Sequence, residues 1–127
     1  MSLEKLLLIS NDKAKIEKLK VQLENEFTLF IATTTNAEEF LVNDPSITSA
    51  LYDLTVNEAD GIREYLVFRL RHDEMKIITL VTGEFYKKLV ENNIEGQFWC
   101  YDCLSEETLL NKTLEFKQIL FSEKQKS

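Results

Sequence analysis

Apolar and polar residues follow one another along this chain in a pattern that predicts short strands and amphipathic helices. Leu6 to Ile9 is a continuous apolar run of strand length, which indicates a strand buried on both faces, as in a parallel sheet. The run ends at Ser10-Asn11-Asp12, three residue types that favour helix N-caps. Apolar residues then recur at helical spacing, at Ile16, Leu19, Leu23 and Phe27. The chain therefore opens with a buried strand followed by an amphipathic helix.

The same alternation continues towards the end of the chain. Four further strands are predicted at residues 29–33, 50–53, 77–81 and 98–101. A helix follows each of them, with these residues predicted to face inward: Phe40 and Leu41; Ile62, Tyr65, Leu66 and Leu70; Phe85, Leu89 and Val90; Leu109, Leu110, Leu114, Phe116 and Leu120. The pattern predicts one structured domain within residues 1–127, covering roughly residues 4–121, and a polar tail at residues 122–127.

Five strands that alternate with five helices predict an α/β fold, a doubly wound parallel sheet with helices on both faces. In the flavodoxin-like strand order 2-1-3-4-5, ligands bind beyond the carboxyl ends of the strands, where strands one and three are neighbours. The residues that follow or end those two strands are Ser10, Asn11, Asp12 and Asp53. This edge of the sheet is the predicted functional site.

Composition narrows the classes of partner and compartment. A chain of 127 residues with 44% hydrophobic residues has room for one ordinary core. Its formal net charge is -7, which makes nucleic acid and anionic membranes poor partners. No apolar run approaches the roughly 20 residues that span a bilayer, and the first residues lack a signal-peptide layout. We therefore expect a cytoplasmic protein that binds neither nucleic acid nor membrane.

Two spacings resemble those of a known signalling family. Asp53-Leu54 followed by Asp60-Gly61, together with Thr82-Gly83 at the end of the fourth predicted strand, resembles the receiver domain of bacterial response regulators (CheY-like). The resemblance covers nearly the whole chain. It implies that Asp53 is the phospho-acceptor and that Thr82 is a switch hydroxyl. It also implies an aromatic switch on the fifth strand, for which we select Trp99; Phe98 fills this position if the alignment shifts by one residue.

The sequence departs from this family at two positions that carry charge. Receivers place two adjacent acids after the first strand, whereas the aligned pair here is Ser10-Asn11, or Asn11-Asp12 in the other register. The lysine that follows strand five in the family aligns with Asp102. The resemblance implies a Mg²⁺ cofactor, and the residues left to bind it are Asp12, Asp53 and the Thr55 carbonyl. Asp12 has an equally good explanation as the cap of the first helix.

These departures favour a degenerate receiver, a pseudo-receiver, over a working one. An acid at position 102 repels both Asp53 and an incoming phosphoryl donor. We therefore predict a two-component (phosphorelay) signalling module that is not an enzyme, with an atypical site at Asp53 and activity through protein–protein interaction. A competent phospho-acceptor that uses Asp53 and Mg²⁺ is the alternative.

The resemblance also implies the kinds of partner. They are a histidine kinase or another signalling protein, and an output domain if the chain belongs to a longer regulator. In the family, helix four, strand five and helix five form the interaction surface, so a homodimer through that face is a further expectation.

Cys100 and Cys103 allow an interpretation from another class. Trp99-Cys100-Tyr101-Asp102-Cys103 has the Trp-Cys-x-x-Cys spacing of thioredoxin-like redox sites. Such sites follow an early strand and face a later proline, whereas here one helix follows and the only proline is Pro45. A thiol-disulfide protein stays a distant alternative.

Overall fold

The computed structural model of the chain describes the backbone of residues 3–54 and 59–126, and the side chains of residues 3–54 and 61–120. Within these ranges the strands are β1 (Lys5–Ile9), β2 (Thr28–Ala32), β3 (Ser49–Asp53), β4 (Lys76–Val81) and β5 (Gln97–Cys100). The helices are α1 (Lys13–Glu26), α2 (Ala37–Asn43), α3 (Ala59–Arg71), α4 (Gly83–Glu91) and α5 (Glu106–Lys126), and a 3-10 turn, η1, spans Tyr101–Cys103.

The strands form one parallel sheet in the order β2-β1-β3-β4-β5. The predicted doubly wound α/β fold and its strand order are therefore confirmed. In the register between β1 and β3, Ile9 is the partner of Tyr52, so Ser10 and Asp53 follow paired residues on neighbouring strands. The topology thus brings the two predicted site segments together.

Alternation along the strands fills a core on each face of the sheet. On β1, Leu6 and Leu8 belong to one buried cluster and Leu7 and Ile9 to the other, as the period of two requires. The first cluster lies against α1 and α5, where the rings of Phe27 and Phe116 are 6.0 Å apart. The second contains the buried residues of α4, Phe85 and Leu89, together with those of α3, Tyr65 and Phe68.

Several residues predicted to face inward are exposed instead. Leu70 is 79% exposed, and Val90, Leu110 and Leu114 also lie at the surface. In α5 the buried stripe consists of Leu109, Thr113, Phe116 and Leu120. The hydroxyl of Thr113 donates to the Leu109 carbonyl at 2.7 Å, which satisfies this polar group inside the core. The inward face of α5 was therefore predicted incorrectly because one of its core positions, Thr113, is polar.

The end of β5 and the end of α5 also differ from the prediction. β5 ends at Cys100, and Tyr101 begins the 3-10 turn instead of completing the strand. The backbone of α5 continues to Lys126 and so includes most of the predicted polar tail. Across the described residues, none of the helices combines the length and the apolar composition that crossing a membrane requires.

Candidate functional site

Asp53 ends β3 with a side chain that is only 3% exposed. Its Oδ2 accepts a hydrogen bond of 2.7 Å from the hydroxyl of Ser10, which follows β1 and is itself buried. The Ser10 hydroxyl oxygen also accepts from the backbone N–H of Asp12 at 3.1 Å. Ser10 thus places a neutral hydroxyl at one of the predicted acidic-pair positions. A buried carboxylate needs such a hydrogen-bond donor.

Lys15, in the first turn of α1, supplies a cation that the sequence analysis missed. Its Nζ lies 3.7 Å from Asp53 Oδ1 and 3.9 Å from Asp12 Oδ2, and the lysine side chain is 15% exposed. One ammonium group is therefore within ion-pair distance of both carboxylates. A lysine in the first turn of a helix is unfavourable, because its charge opposes the helix dipole. An unfavourable lysine in the helix that starts at the carboxyl edge of the sheet is the sequence signal that could have identified Lys15.

The other two residues after β1 have separate roles. Asp12 is the N-cap of α1, because its Oδ1 accepts from the backbone N–H groups of Ala14 at 3.0 Å and Lys15 at 3.3 Å. Asn11 pairs with Thr34 in the loop before α2, donating to its hydroxyl and accepting from its backbone N–H, both at 3.1 Å. Asp12 therefore caps the first helix, and Asn11 joins the loop before α2.

The donor set for Mg²⁺ overlaps with the position of Lys15. Mg²⁺ binds through one or two carboxylates and keeps several waters in an octahedral shell. Asp12 and Asp53 are carboxylates of that kind, but a cation shared between them would compete with the Lys15 ammonium group. Thr55, the third predicted ligand, lies outside the described residues. Among the described residues, no group of three or more His, Cys, Asp or Glu could hold a metal ion.

Tyr101 connects this site with the turn after β5. The Nζ of Lys15 lies 5.3 Å from the centroid of the Tyr101 ring, and the Nζ of Lys18 lies 4.7 Å from it. Lys18 also donates to the Leu104 carbonyl at 2.9 Å. Cations at this distance from an aromatic ring are attracted by its negative face. The first helix therefore holds the turn through two lysines, one of which also pairs with Asp53.

Asp102, at the position where the family has lysine, faces the start of α4. Its Oδ2 accepts a hydrogen bond of 3.1 Å from the backbone N–H of Gly83. Thr82 is the N-cap of the same helix, and its hydroxyl oxygen accepts from the Phe85 N–H at 3.3 Å. The amino end of α4 is thus occupied by an internal anion, in the place where free N–H groups bind anions in other proteins.

The two aromatic residues predicted as switch positions lie on opposite faces of β5. Trp99 is buried in the cluster that contains the α1 and α5 residues. Phe98 packs with the cluster of α4, and its ring centroid is 5.6 Å from that of Tyr86 on this helix. Phe98 is therefore the β5 aromatic that contacts α4, whereas the assignment of Trp99 as a switch stays a prediction.

Tyr52 precedes Asp53 and is buried under the site. Its ring lies 5.1 Å from that of Tyr65 and 5.4 Å from that of Phe68. Burial raises the pKa of its phenol to about 12, with smaller contributions from the charges of Glu64, Tyr65 and Asp53. The backbone of Asp60, the remaining motif acid, lies in α3, but its side chain is outside the described set.

The fold has counterparts among solved structures, whereas no protein-family model and no curated protein matches the sequence. A CheY-like response regulator receiver domain protein from Methanospirillum hungatei is 20% identical with a TM-score of 0.71, over 96% of this chain and 99% of that chain. The receiver domain of AraT, a response regulator from Geobacillus stearothermophilus, is 13% identical with a TM-score of 0.73, over 96% and 98%.

A third counterpart is the structure of adenylate cyclase from Rhodopirellula baltica. It is 15% identical with a TM-score of 0.67, over 97% of this chain and 96% of that chain. At such identities the likeness establishes the fold alone. The chain has the flavodoxin-like fold of CheY-like receiver domains, which confirms the fold implied by the family resemblance.

Proposed function

We propose that this chain is a receiver-like module of two-component signal transduction whose site is closed by its own residues, so that it binds partners without a phosphoryl group. The observation that carries the proposal is the Lys15 ammonium group, 3.7 Å from Asp53 Oδ1, beside the Ser10 hydroxyl on Oδ2. Both carboxylate oxygens already have a donor or a cation. Such a site is that of a pseudo-receiver.

Charge balance supports this proposal. Phosphoryl transfer to a carboxylate needs cations to offset the charge that accumulates, usually Mg²⁺ and a basic side chain. Here Lys15 brings one positive charge to two acids, Asp12 and Asp53. The Gly83 N–H, at the amino end of α4, already donates to the Asp102 carboxylate. An incoming phosphoryl group would therefore compete with internal partners at both ends of the site.

A competent phospho-acceptor is the second candidate, and the same lysine favours it. An ammonium group beside Asp53 can replace the cation lost at position 102, provided that Mg²⁺ displaces it from Asp12. In this case Thr82, on the start of α4, would follow the phosphoryl group, and Phe98 rather than Trp99 would transmit the change to α4. The two candidates differ in whether Asp53 forms an adduct.

Exposed apolar side chains support a binding role. Tyr86 and Val90 are 44% and 53% exposed on α4, and Leu110 and Leu114 are 36% and 41% exposed on α5. These two helices flank β5, the edge strand of the sheet. We assign these exposed side chains, which lie on the two helices on either side of β5, to the binding of a protein partner: a histidine kinase or other signalling protein, an output domain, or a second copy. The module is non-enzymatic and cytoplasmic in this proposal.

The deciding experiment measures intact mass after incubation with acetyl phosphate and Mg²⁺, and Mg²⁺ binding by the fluorescence of Trp99, the single tryptophan. We expect no adduct on the wild-type chain and Mg²⁺ binding too weak to saturate at millimolar concentration. Lys15→Met removes the ammonium group that lies between the two carboxylates and is expected to raise the Mg²⁺ affinity at least tenfold. Lys13→Met, at an exposed lysine on the same helix, is the matched control and leaves the affinity unchanged.

Asp53→Asn separates the two candidates. A mass gain on the wild-type chain that disappears in Asp53→Asn would establish the competent phospho-acceptor and overturn the closed site. Equal Mg²⁺ affinity in wild type, Lys15→Met and Lys13→Met would show that Lys15 does not occupy the cation position.

A further inference from the structure

The two cysteines of the turn after β5 form a pair in space as well as in sequence. Cys100 is the last residue of β5 and half-buried, and Cys103 ends η1 and is exposed. A tight turn brings the Cα atoms of residues i and i+3 within about 7 Å, and disulfides span Cα separations of roughly 4.4–6.8 Å. Both thiols are free. An exposed thiol such as that of Cys103 contributes little to the core, so packing does not explain its presence.

The residues enclosed by this pair both contact the candidate site. Tyr101 lies under the ammonium groups of Lys15 and Lys18, and the Asp102 carboxylate accepts from the Gly83 N–H at 3.1 Å. Cys100 itself borders the start of α4, because a Cβ built on Gly83 would lie 3.9 Å from its Sγ. A covalent bond across the turn would therefore act on the segment that joins Lys15 to α4.

We propose that Cys100 and Cys103 form a reversible dithiol–disulfide modification site whose oxidation alters the contacts of Tyr101 and Asp102. The oxidant is a low-molecular-weight or protein disulfide. The Cys103 thiol, being exposed, loses its proton and attacks that disulfide, releasing one thiol; Cys100 then attacks the mixed disulfide and releases a second. Two protein S–H bonds and one oxidant S–S bond break. One protein S–S bond forms, and the oxidant leaves as two thiols with the two electrons and two protons.

The local environment determines the rate of this exchange. The hydrogen bond with Cys100 is the largest cause that raises the pKa of the Cys103 thiol, followed by the charge of Cys100, burial and the charge of Asp102. The thiolate is therefore scarce at neutral pH, and attack on an oxidant is slow.

This inference does not depend on the proposed function of Asp53, because it can be tested without a phosphoryl donor. The full chain is incubated with oxidised glutathione and then analysed by intact mass and alkylation. We expect the wild-type chain to lose two hydrogen atoms and two alkylatable thiols, with no retained glutathione. Cys100→Ser removes the resolving thiol and is expected to retain one glutathione on Cys103. Cys103→Ser, a change at an exposed position, is expected to form no internal disulfide.

The coupling to the site is read from the Gly83 amide resonance in the oxidised and reduced chain. A shifted resonance that returns on reduction is the expected result. A wild-type chain that retains glutathione on Cys103, or that forms only disulfides between chains, would overturn the modification site. An internal disulfide that leaves the Gly83 resonance unmoved would overturn the coupling. Failure of either kind leaves the acetyl phosphate result on Asp53 unaffected.

Discussion

At the scale of single residues, the buried phenol of Tyr52 predicts how the stability of the fold depends on pH. Its phenol has a pKa of about 12 in the folded chain, against an ordinary value near 10, and burial is the main cause. Between these two values the unfolded chain loses the proton first, so stability falls as pH rises from about 10 to 12. This difference in pKa corresponds to roughly 2–3 kcal/mol of stability, which is fully present below pH 10.

Tyr52→Phe removes this ionisation and keeps the ring contacts with Tyr65 and Phe68. We expect the variant to lose about 2 kcal/mol less stability than wild type between pH 9 and pH 12, as measured by urea unfolding. Tyr86→Phe, at an exposed tyrosine of α4, is the matched control. Parallel pH profiles for wild type and Tyr52→Phe would contradict the buried phenol as the cause.

The residues of the site were only partly predictable from the sequence. Asp53 and Ser10 follow from topology, because they end or follow strands that must be neighbours in the order 2-1-3-4-5. Lys15 was missed because a lysine on the polar side of an amphipathic helix usually faces solvent, and its distance from Asp53 depends on where α1 begins. The sequence identified Asp102 as the residue at the lysine position of the family. Its hydrogen bond to Gly83 could not be predicted, because it depends on the 3-10 turn.

At the scale of elements, the start of α4 is the feature that most depends on one side chain. Asp102 supplies both a hydrogen-bond acceptor for the Gly83 N–H and a negative charge at a helix N-terminus. We expect Asp102→Ala to lower stability by about 0.5–1 kcal/mol and to speed hydrogen exchange at Gly83. Asp102→Asn keeps an acceptor without the charge, so its effect should lie between those of wild type and Asp102→Ala.

The measurement is hydrogen exchange by NMR, with Phe85 as an internal reference because its N–H donates to Thr82 rather than to Asp102. Exchange that accelerates at Gly83 alone is the expected result. An Asp102→Ala variant in which the Gly83 amide exchanges as in wild type would show that the carboxylate does not hold this end of the helix.

Element boundaries could be predicted where the apolar pattern was continuous. The prediction failed where an apolar residue lies outside a strand or a polar residue lies in the core. Apart from a lysine at the start of each strand and the buried Thr79 in β4, β1 and β4 are apolar, and both were found within a residue or two. β5 was placed one residue too late, since Tyr101 continues the aromatic run but packs under two lysines in η1. The face of α5 was misjudged because Thr113 is buried through a hydrogen bond to its own helix.

At the scale of the whole molecule, the exposed apolar residues of α4 and α5 lie on a chain with a net charge of -7. If this surface pairs two copies, apolar burial favours association while the like charges of the two copies oppose it. Salt screens the repulsion over about 10 Å at 0.1 M and does not weaken apolar contacts. We therefore expect a weak dimer that becomes several-fold tighter between about 0.02 and about 0.3 M salt, because the screening length shortens over this range.

Sedimentation equilibrium tests this prediction with two valines in matched variants. Val90 lies on α4 and is 53% exposed, whereas Val42 lies on α2 and is 77% exposed. Val90→Glu places a charge on the proposed surface and should abolish association, because a desolvated charge without a partner is costly. Val42→Glu adds the same charge to the molecule but outside that surface, so its dimer should be weakened only as far as net charge requires, and salt should restore it. Equal loss of association in both variants would assign the salt effect to net charge alone and would contradict pairing through α4 and α5.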